Sequence, residues 1–429
     1  MAPDGGRSLL FYEEREDAVV EVGGSGGAPG VWSSRHTGLA VRGQTDLALF
    51  RGDPDPADVA RLLRGAGVGG REAAGSGPDR DPPAPWPPVL PIPGAQELVR
   101  RLAETTERLS PGATIGVRWV AFRQVVTVAR PGLPLAGDVR QGARVRVAAG
   151  RRGDEAVAEA PVSTVEPALT GDCARLPEEV ARRLDERRRL TTLPCGEHEV
   201  VFGPAVGGVL VHEIVGHALE ADAALDGRSW LAEAGGAEVA TPELTVVDDP
   251  RRGRAPWKTD DEGEPARPIA LVREGRVTGY LHDLRTSREC GQLPTGHGRR
   301  ASYRDPVRPR MGCTFVAAGR RHPDEVIEGI ESGIYVRRME AARTDPRTGR
   351  AVFRVTDADR IHRGRLDGAL AAHLLIVEGR AALRSIGRVA ADLAFDRCPG
   401  SCLREGQALA VGVGAPTFRL GSALAVFGP

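Results

Sequence analysis

The sequence predicts an α+β chain of two domains: an N-terminal α/β domain over 1–195, and a C-terminal mixed-sheet domain over 196–429 that carries a metal-binding helix. Three observations lead there. A chain of 429 residues exceeds what one ordinary core organises. Strand-like and helix-like runs alternate along its whole length, interrupted by a Gly/Pro-rich stretch at 65–94. The run GVLVHEIVGHALEAD, Gly208–Asp222, reads as a buried helix holding two histidines and a glutamate among apolar residues.

In order, short β-like runs fall at Leu9–Tyr12, Ala18–Val22, Leu39–Arg42 and Leu47–Phe50. A short helix follows at Ala57–Leu63, with Asp55 as cap and Pro56 at its start. Gly65–Gly94 reads as a loop or linker. Ala95–Leu109 restores helical spacing through Leu98, Leu102 and Leu109, and Ser110-Pro111-Gly112 ends it. Strands are expected at Thr114–Trp119, Gln124–Val128 and Ala143–Ala149, and a charged amphipathic helix at Leu176–Leu190. In the second half Glu243–Asp249 reads as a strand, and Ile269–Val272 with Val277–Leu281 as a hairpin around Arg273-Glu274-Gly275-Arg276. Asp324–Ile334 and Ala381–Leu393 read as helices, Val352–Val355 and His373–Val377 as strands. Asp260-Asp261-Glu262-Gly263 reads as a solvated acidic turn. Leu293–Arg300 is Gly-rich and basic but lacks the Gly-Lys-Ser/Thr ending of a phosphate loop.

Composition excludes some classes of function. Basic and acidic residues balance at 58 each, which argues against a nucleic-acid or anionic-membrane binder driven by bulk charge. A hydrophobic fraction of 41% supports packed cores, and with aromatics at only 4% those cores fall to Val, Leu and Ala. No charged-then-apolar leader and no membrane-length apolar run stands out. Six cysteines scattered through a long chain are not a disulfide scaffold, so the expectation is a cytoplasmic enzyme with mostly free thiols.

The chemistry concentrates in His212, Glu213 and His217. Burying three titratable side chains in an apolar helix is costly unless something compensates them. A metal ion does so, held by two imidazoles, with the adjacent carboxylate handling the proton of an activated water. The histidines are five residues apart rather than the four of H-E-x-x-H, so on an ideal helix their rings point roughly 140° apart. A wider i→i+5 turn brings them together, and Gly216 is a place for it because glycine tolerates unusual backbone. The bland alternative is two core histidines bonded to backbone carbonyls. Two histidines leave a zinc site short of a protein ligand. The tail offers thiolates at Cys398 and Cys402, and spacing does not choose between them.

HEIVGHALEAD, TVVDD, DDEG, PTGHGRR, ESGIY and SCLREGQALAVGVGAPT, in this order, resemble the TldD branch of the TldD/PmbA family. The resemblance covers roughly 200–429; before that only the general order of strands and helices agrees, over a shortened N-terminal half. It implies a zinc metallopeptidase subunit acting on unfolded or small peptides, paired with a related TldE/PmbA-type subunit that lacks the ligands. It makes His212 and His217 zinc ligands and Glu213 the general base. It places the third ligand on Cys402, before E-G-Q, and leaves Cys398 a bystander or a supporting group. Some relatives resemble amide hydrolases that remove an acyl group from a small biosynthetic intermediate, so an N-deacylase is one alternative. A non-catalytic subunit with a structural metal is another, opposed by a ligand set that stops at three.

Overall fold

The computed structural model describes residues 9–24, 28–42, 47–51, 91–130, 133–151, 154–162, 169, 171–186, 190–398 and 400–427. The helix expected at Ala57–Leu63 and positions 65–90 of the expected loop lie outside the described residues. The architecture is α+β and mostly strands. It divides into two compact units, Met1–Ala181 with Ala301–Pro306, and Arg182–Arg300 with Val307–Pro429.

In the first unit β1 (Leu9–Gly24), β2 (Gly30–Arg42), β3 (Leu47–Arg51), β4 (Thr114–Ala129), β5 (Ala136–Arg151) and β6 (Asp154–Pro161) form one sheet. Its order is β3-β2-β1-β4-β5-β6, antiparallel throughout. Residues two apart share a face, and Ile115, Val117, Trp119 and Ala121 of β4 accordingly go inward together. Against β1 and β4 packs α1 (Ile92–Leu109), through Ala95, Leu98, Val99, Leu102 and Thr106, one stripe at helical spacing. This helix starts three residues inside the expected loop, because Pro93 suits a helix's first turn. The runs Leu9–Tyr12 and Ala18–Val22 are one strand. Its charged middle is no turn, since Glu13 is fully buried and accepts from Gln124 Nε2 at 2.7 Å and from Tyr303 N at 2.8 Å. Tyr303 also lies over Gly38, where a Cβ would stand 2.2 Å from its ring. After β6 comes α2 (Gly171–Glu186).

The second unit opens with β7 (Gly196–Phe202), followed by α3 (Gly207–Val211), its continuation through His212–Leu219, and α4 (Ala221–Leu225). Then come β8 (Val246–Asp248), β9 (Ile269–Arg273), β10 (Arg276–Val277), β11 (Gly298–Arg299), β12 (Arg308–Pro309) and β13 (Cys313–Val316). Next are β14 (Ser332–Asp345), β15 (Arg350–His362), β16 (Arg365–Ala369), β17 (His373–Glu378) and β18 (Ile386–Gly387). The chain closes with β19 (Ala394–Phe395), β20 (Gly400–Arg404), β21 (Gln407–Ala415) and β22 (Phe418–Phe427). One sheet runs β14-β7-β22-β17-β15-β16, and β15 pairs back onto β14, so five strands close into a ring. The other runs β10-β9-β8-β13-β21-β19, with β20 paired to β21 off this path. The helix from Gly207 packs against β13 and β21 of the second sheet and β14 and β15 of the first, in one shared apolar core.

Several expected elements are shorter. The helix expected at Asp324–Ile334 occupies only Pro323–Ile327; Gly329 turns the chain at φ 76° and β14 begins at Ser332. The one expected at Ala381–Leu393 spans Gly379–Ser385 and gives way to β18, whose Ile386 pairs with Leu420. The strand expected at Glu243–Asp249 is reduced to Val246–Asp248. The acidic turn is not solvated: Asp260, Asp261 and Glu262 are buried. Asp260 Oδ2 accepts from Gly298 N at 2.9 Å, Asp261 Oδ2 from Arg300 N at 2.7 Å and Glu262 Oε2 from Leu284 N at 2.6 Å. The Gly-rich basic segment Leu293–Arg300 thus supplies partners to two of these carboxylates. Among the described residues no helix is long and apolar enough to cross a membrane.

Candidate metal centre

The helix that begins at Gly207 changes pitch at the two histidines. His212–Gly216 forms a π-turn, and the His217 N–H donates to the His212 carbonyl five residues back. The wider turn cancels the divergence an α-helix imposes: the imidazole centroids stand 5.1 Å apart with planes at 84°. Gly216 has ordinary helical angles, φ −55° and ψ −59°, so backbone freedom is not why glycine is here. Space is: a Cβ on Gly216 would fall 1.9 Å from Met311 Sδ. Changes of pitch leave carbonyls without a regular partner. Trp230 Nε1 donates to Ile214 O at 3.0 Å and Ser229 Oγ to Ala218 O at 2.5 Å.

Cys402 comes to the histidines from β20. Its Sγ is 3.3 Å from His217 Nε2, and one donor atom from each of His212, His217 and Cys402 lies within 4.8 Å of the others. Among the described residues this is the one cluster of three or more His, Cys, Asp or Glu that could hold a metal ion. His212 and Cys402 are buried and His217 is nearly so. Glu213 is half-buried, and its Oε2 accepts from Thr344 Oγ1 at 2.6 Å.

Glu220, fully buried, ends the helical run with extended angles and takes the other nitrogen of His217, Nδ1, at 3.0 Å. A carboxylate only accepts, so Nδ1 carries a proton, and Nε2 is the ring nitrogen turned toward Cys402. Burial pushes the Cys402 thiol up, but the charge of His217 and hydrogen bonds with His212 and His217 outweigh it and hold it well below its ordinary range. Burial likewise pulls His217 down, and the charges of Cys402 and Glu220 raise it well above its usual value instead. Glu220 is lowered despite its burial, chiefly by His217 and Arg404. The site therefore stabilises a thiolate. Two imidazole nitrogens, one bound to a carboxylate, with a thiolate form a donor set that fits zinc.

Sequence reasoning missed Glu220, Asp222, Arg310, Thr344 and Arg404. Glu220 alone carried a signal, being a carboxylate three residues beyond a histidine on the same helical stretch. The others gain their part through contacts that sequence spacing does not show.

The family described as PmbA/TldA metallopeptidase C-terminal domain matches residues 195–426. The chain belongs to the PmbA/TldD family. Among its relatives, "Metalloprotease TldD homolog" of Haemophilus influenzae is 34% identical over 229 residues, 53% of this chain and 48% of that protein. "Metalloprotease" of Methanothermobacter thermautotrophicus is 32% identical over 259 residues, 58% and 55% of the two chains. The chain thus matches about half the length of these PmbA/TldD relatives. Solved structures of the fold align over nearly the whole chain. TldE from Thermococcus kodakarensis has a TM-score of 0.73 at 16% identity, covering 98% of this chain and 97% of that one. A putative modulator of a DNA gyrase from Thermotoga maritima has 0.75 at 14%, covering 98% and 96%.

Proposed function

We propose that this member of the family is a zinc-dependent hydrolase of amide bonds, a peptidase for unfolded or small peptides. His212, His217 and Cys402 hold the ion, and Glu213 is the general base. The observation that carries this reading is the π-turn, which brings a buried and a nearly buried imidazole together beside Cys402 while leaving the intervening carboxylate half-exposed. The names of the relatives, metalloproteases, support the same class.

Bound there, zinc supplies a Lewis acid that polarises a carbonyl and makes water acidic near neutral pH. Thr344 fixes one oxygen of Glu213, and the other is left to take the water's proton and deliver it to the departing nitrogen. Glu220 keeps the Nδ1 proton on His217, so that Nε2 remains a donor of electrons. Among the described residues, three ligands and no fourth leave the site open, as catalytic zinc sites are and structural ones are not. We place the chain beside a related TldE-type subunit through a specific interface, since zero net charge offers no bulk attraction.

The experiment is Glu213→Gln, assayed with and without such a subunit on an unstructured peptide and on N-acyl small molecules. The variant should keep its zinc and lose roughly 10²–10⁴-fold in rate. The substrate class that wild type cleaves separates peptidase from deacylase. Near wild-type turnover by Glu213→Gln refutes the assigned base. Cleavage of neither class by wild type with its partner favours a non-catalytic subunit.

A further inference from the structure

Among the described residues β20, the strand that brings Cys402 to the histidines, pairs with another strand, β21, on one edge only. Backbone pairing alone leaves such an outer strand able to peel away. Side chains hold its other edge. Arg404 lies two residues beyond Cys402, on the same face of the strand. Its Nη1 is 3.0 Å from Glu220 Oε2, the oxygen that also takes His217 Nδ1. The same guanidinium grips Asp222 with both arms, Nη1 to Oδ1 at 3.0 Å and Nη2 to Oδ2 at 2.9 Å. Glu220 and Asp222 are fully buried, so these contacts are shielded from water, and the two-armed fork fixes direction as well as charge. Arg310, itself buried, adds a contact to the strand backbone, Nη2 to the Cys402 carbonyl at 2.7 Å.

We propose that Arg404 is a positioning residue for the metal centre: it latches the strand that carries Cys402 to the end of the helix that carries His212 and His217. The latch rests on the metal reading above and assigns it a new part. Without it, β20 loses its two-armed tether to the helix end, and Glu220 loses one of the cations that hold it against His217. Thiolate and imidazoles then no longer present themselves at one point.

The test measures zinc affinity by chelator competition, with Co²⁺ as a spectroscopic stand-in whose thiolate charge-transfer band reports Cys402 as a ligand. Arg404→Ala should bind zinc roughly 10–100-fold more weakly, the usual effect of losing an outer-shell partner, with a diminished band. Arg404→Lys keeps the charge but not the fork and should fall between. Arg228→Ala removes exposed pairs to Asp226 and Glu405 and should bind as the parent does. Parental affinity and an undiminished band in Arg404→Ala overturn the latch. Should that variant fail to fold, Asp222→Asn loosens the fork and leaves the Glu220 contact in place; parental affinity there overturns it equally. A parent that binds no zinc sinks the metal reading itself, an outcome separate from a parent that binds zinc and an Arg404 variant that binds it as well.

Discussion

Gly216→Ala adds one methyl group where the π-turn meets the core. The new Cβ would stand 1.9 Å from Met311 Sδ, 3.2 Å from its Cε and 3.3 Å from its Cγ. Ordinary contacts between such atoms need roughly 3.5–4.0 Å, so the closest pair must separate by about 2 Å. Met311 is 1% exposed and belongs to the shared core, which leaves it no free direction. Overpacking of this kind costs about 1–3 kcal/mol. Alanine in place of glycine within a helix returns about 0.5–1 kcal/mol. The net expectation is a loss of up to about 2.5 kcal/mol, centred on about 1, with His217, the next residue, pushed away from His212 and Cys402. Met311→Ala alone leaves a cavity and costs about 2–5 kcal/mol, but the added methyl then has room. The double variant should therefore be less destabilised than the sum, with a coupling of about 1 kcal/mol or more. Urea unfolding of all four proteins gives the cycle, and elemental analysis gives zinc content. If Gly216→Ala is as stable as the parent and retains full zinc, or if the cycle is additive, lack of space is not why glycine is needed.

Two further outcomes are expected. Purified protein should carry about one zinc per chain; Cys402→Ser should strip it, Cys398→Ser should keep it, and affinity should fall with pH as the ligands take up protons, with the reverse cysteine pattern refuting the assignment. Burial, then the charge of Glu262, raises the Asp283 carboxyl from 3.8 to about 6. A raised carboxylate favours folding below its unfolded value and loses that contribution as pH rises through about 6. Asp283→Asn keeps an acceptor for Thr286 N and removes the charge, so it should stabilise at pH 8 by about 1–3 kcal/mol and by less at pH 5. Equal gains at both pH values in thermal unfolding would contradict this.

What the sequence determined by itself was the grouping of the reactive side chains. His212, Glu213 and His217 lie within six residues, and five-residue spacing on a helix admits few geometries, so the π-turn was legible before any coordinates. The α+β class, the helix α1 and pieces of β1, β2, β4, β5 and β15 were legible for the same local reason, since hydrophobic period and turn chemistry are properties of neighbours in sequence, whereas β14, β21 and β22 were not. Tertiary structure decided the rest. Which cysteine meets the histidines depends on β20 pairing with β21; Cys402 lies 185 residues from His217, and spacing along the chain is silent about their meeting. That Gly216 yields space to Met311 rather than bending the backbone depends on a residue that another segment brings into the folded core. Asp260, Asp261 and Glu262 read as a solvated turn because their charge is local, while the amides of Gly298, Arg300 and Leu284 that allow their burial come from elsewhere. Glu220 and Arg404 likewise meet only once the outer strand lies beside the helix end, where low solvent access strengthens their pairing.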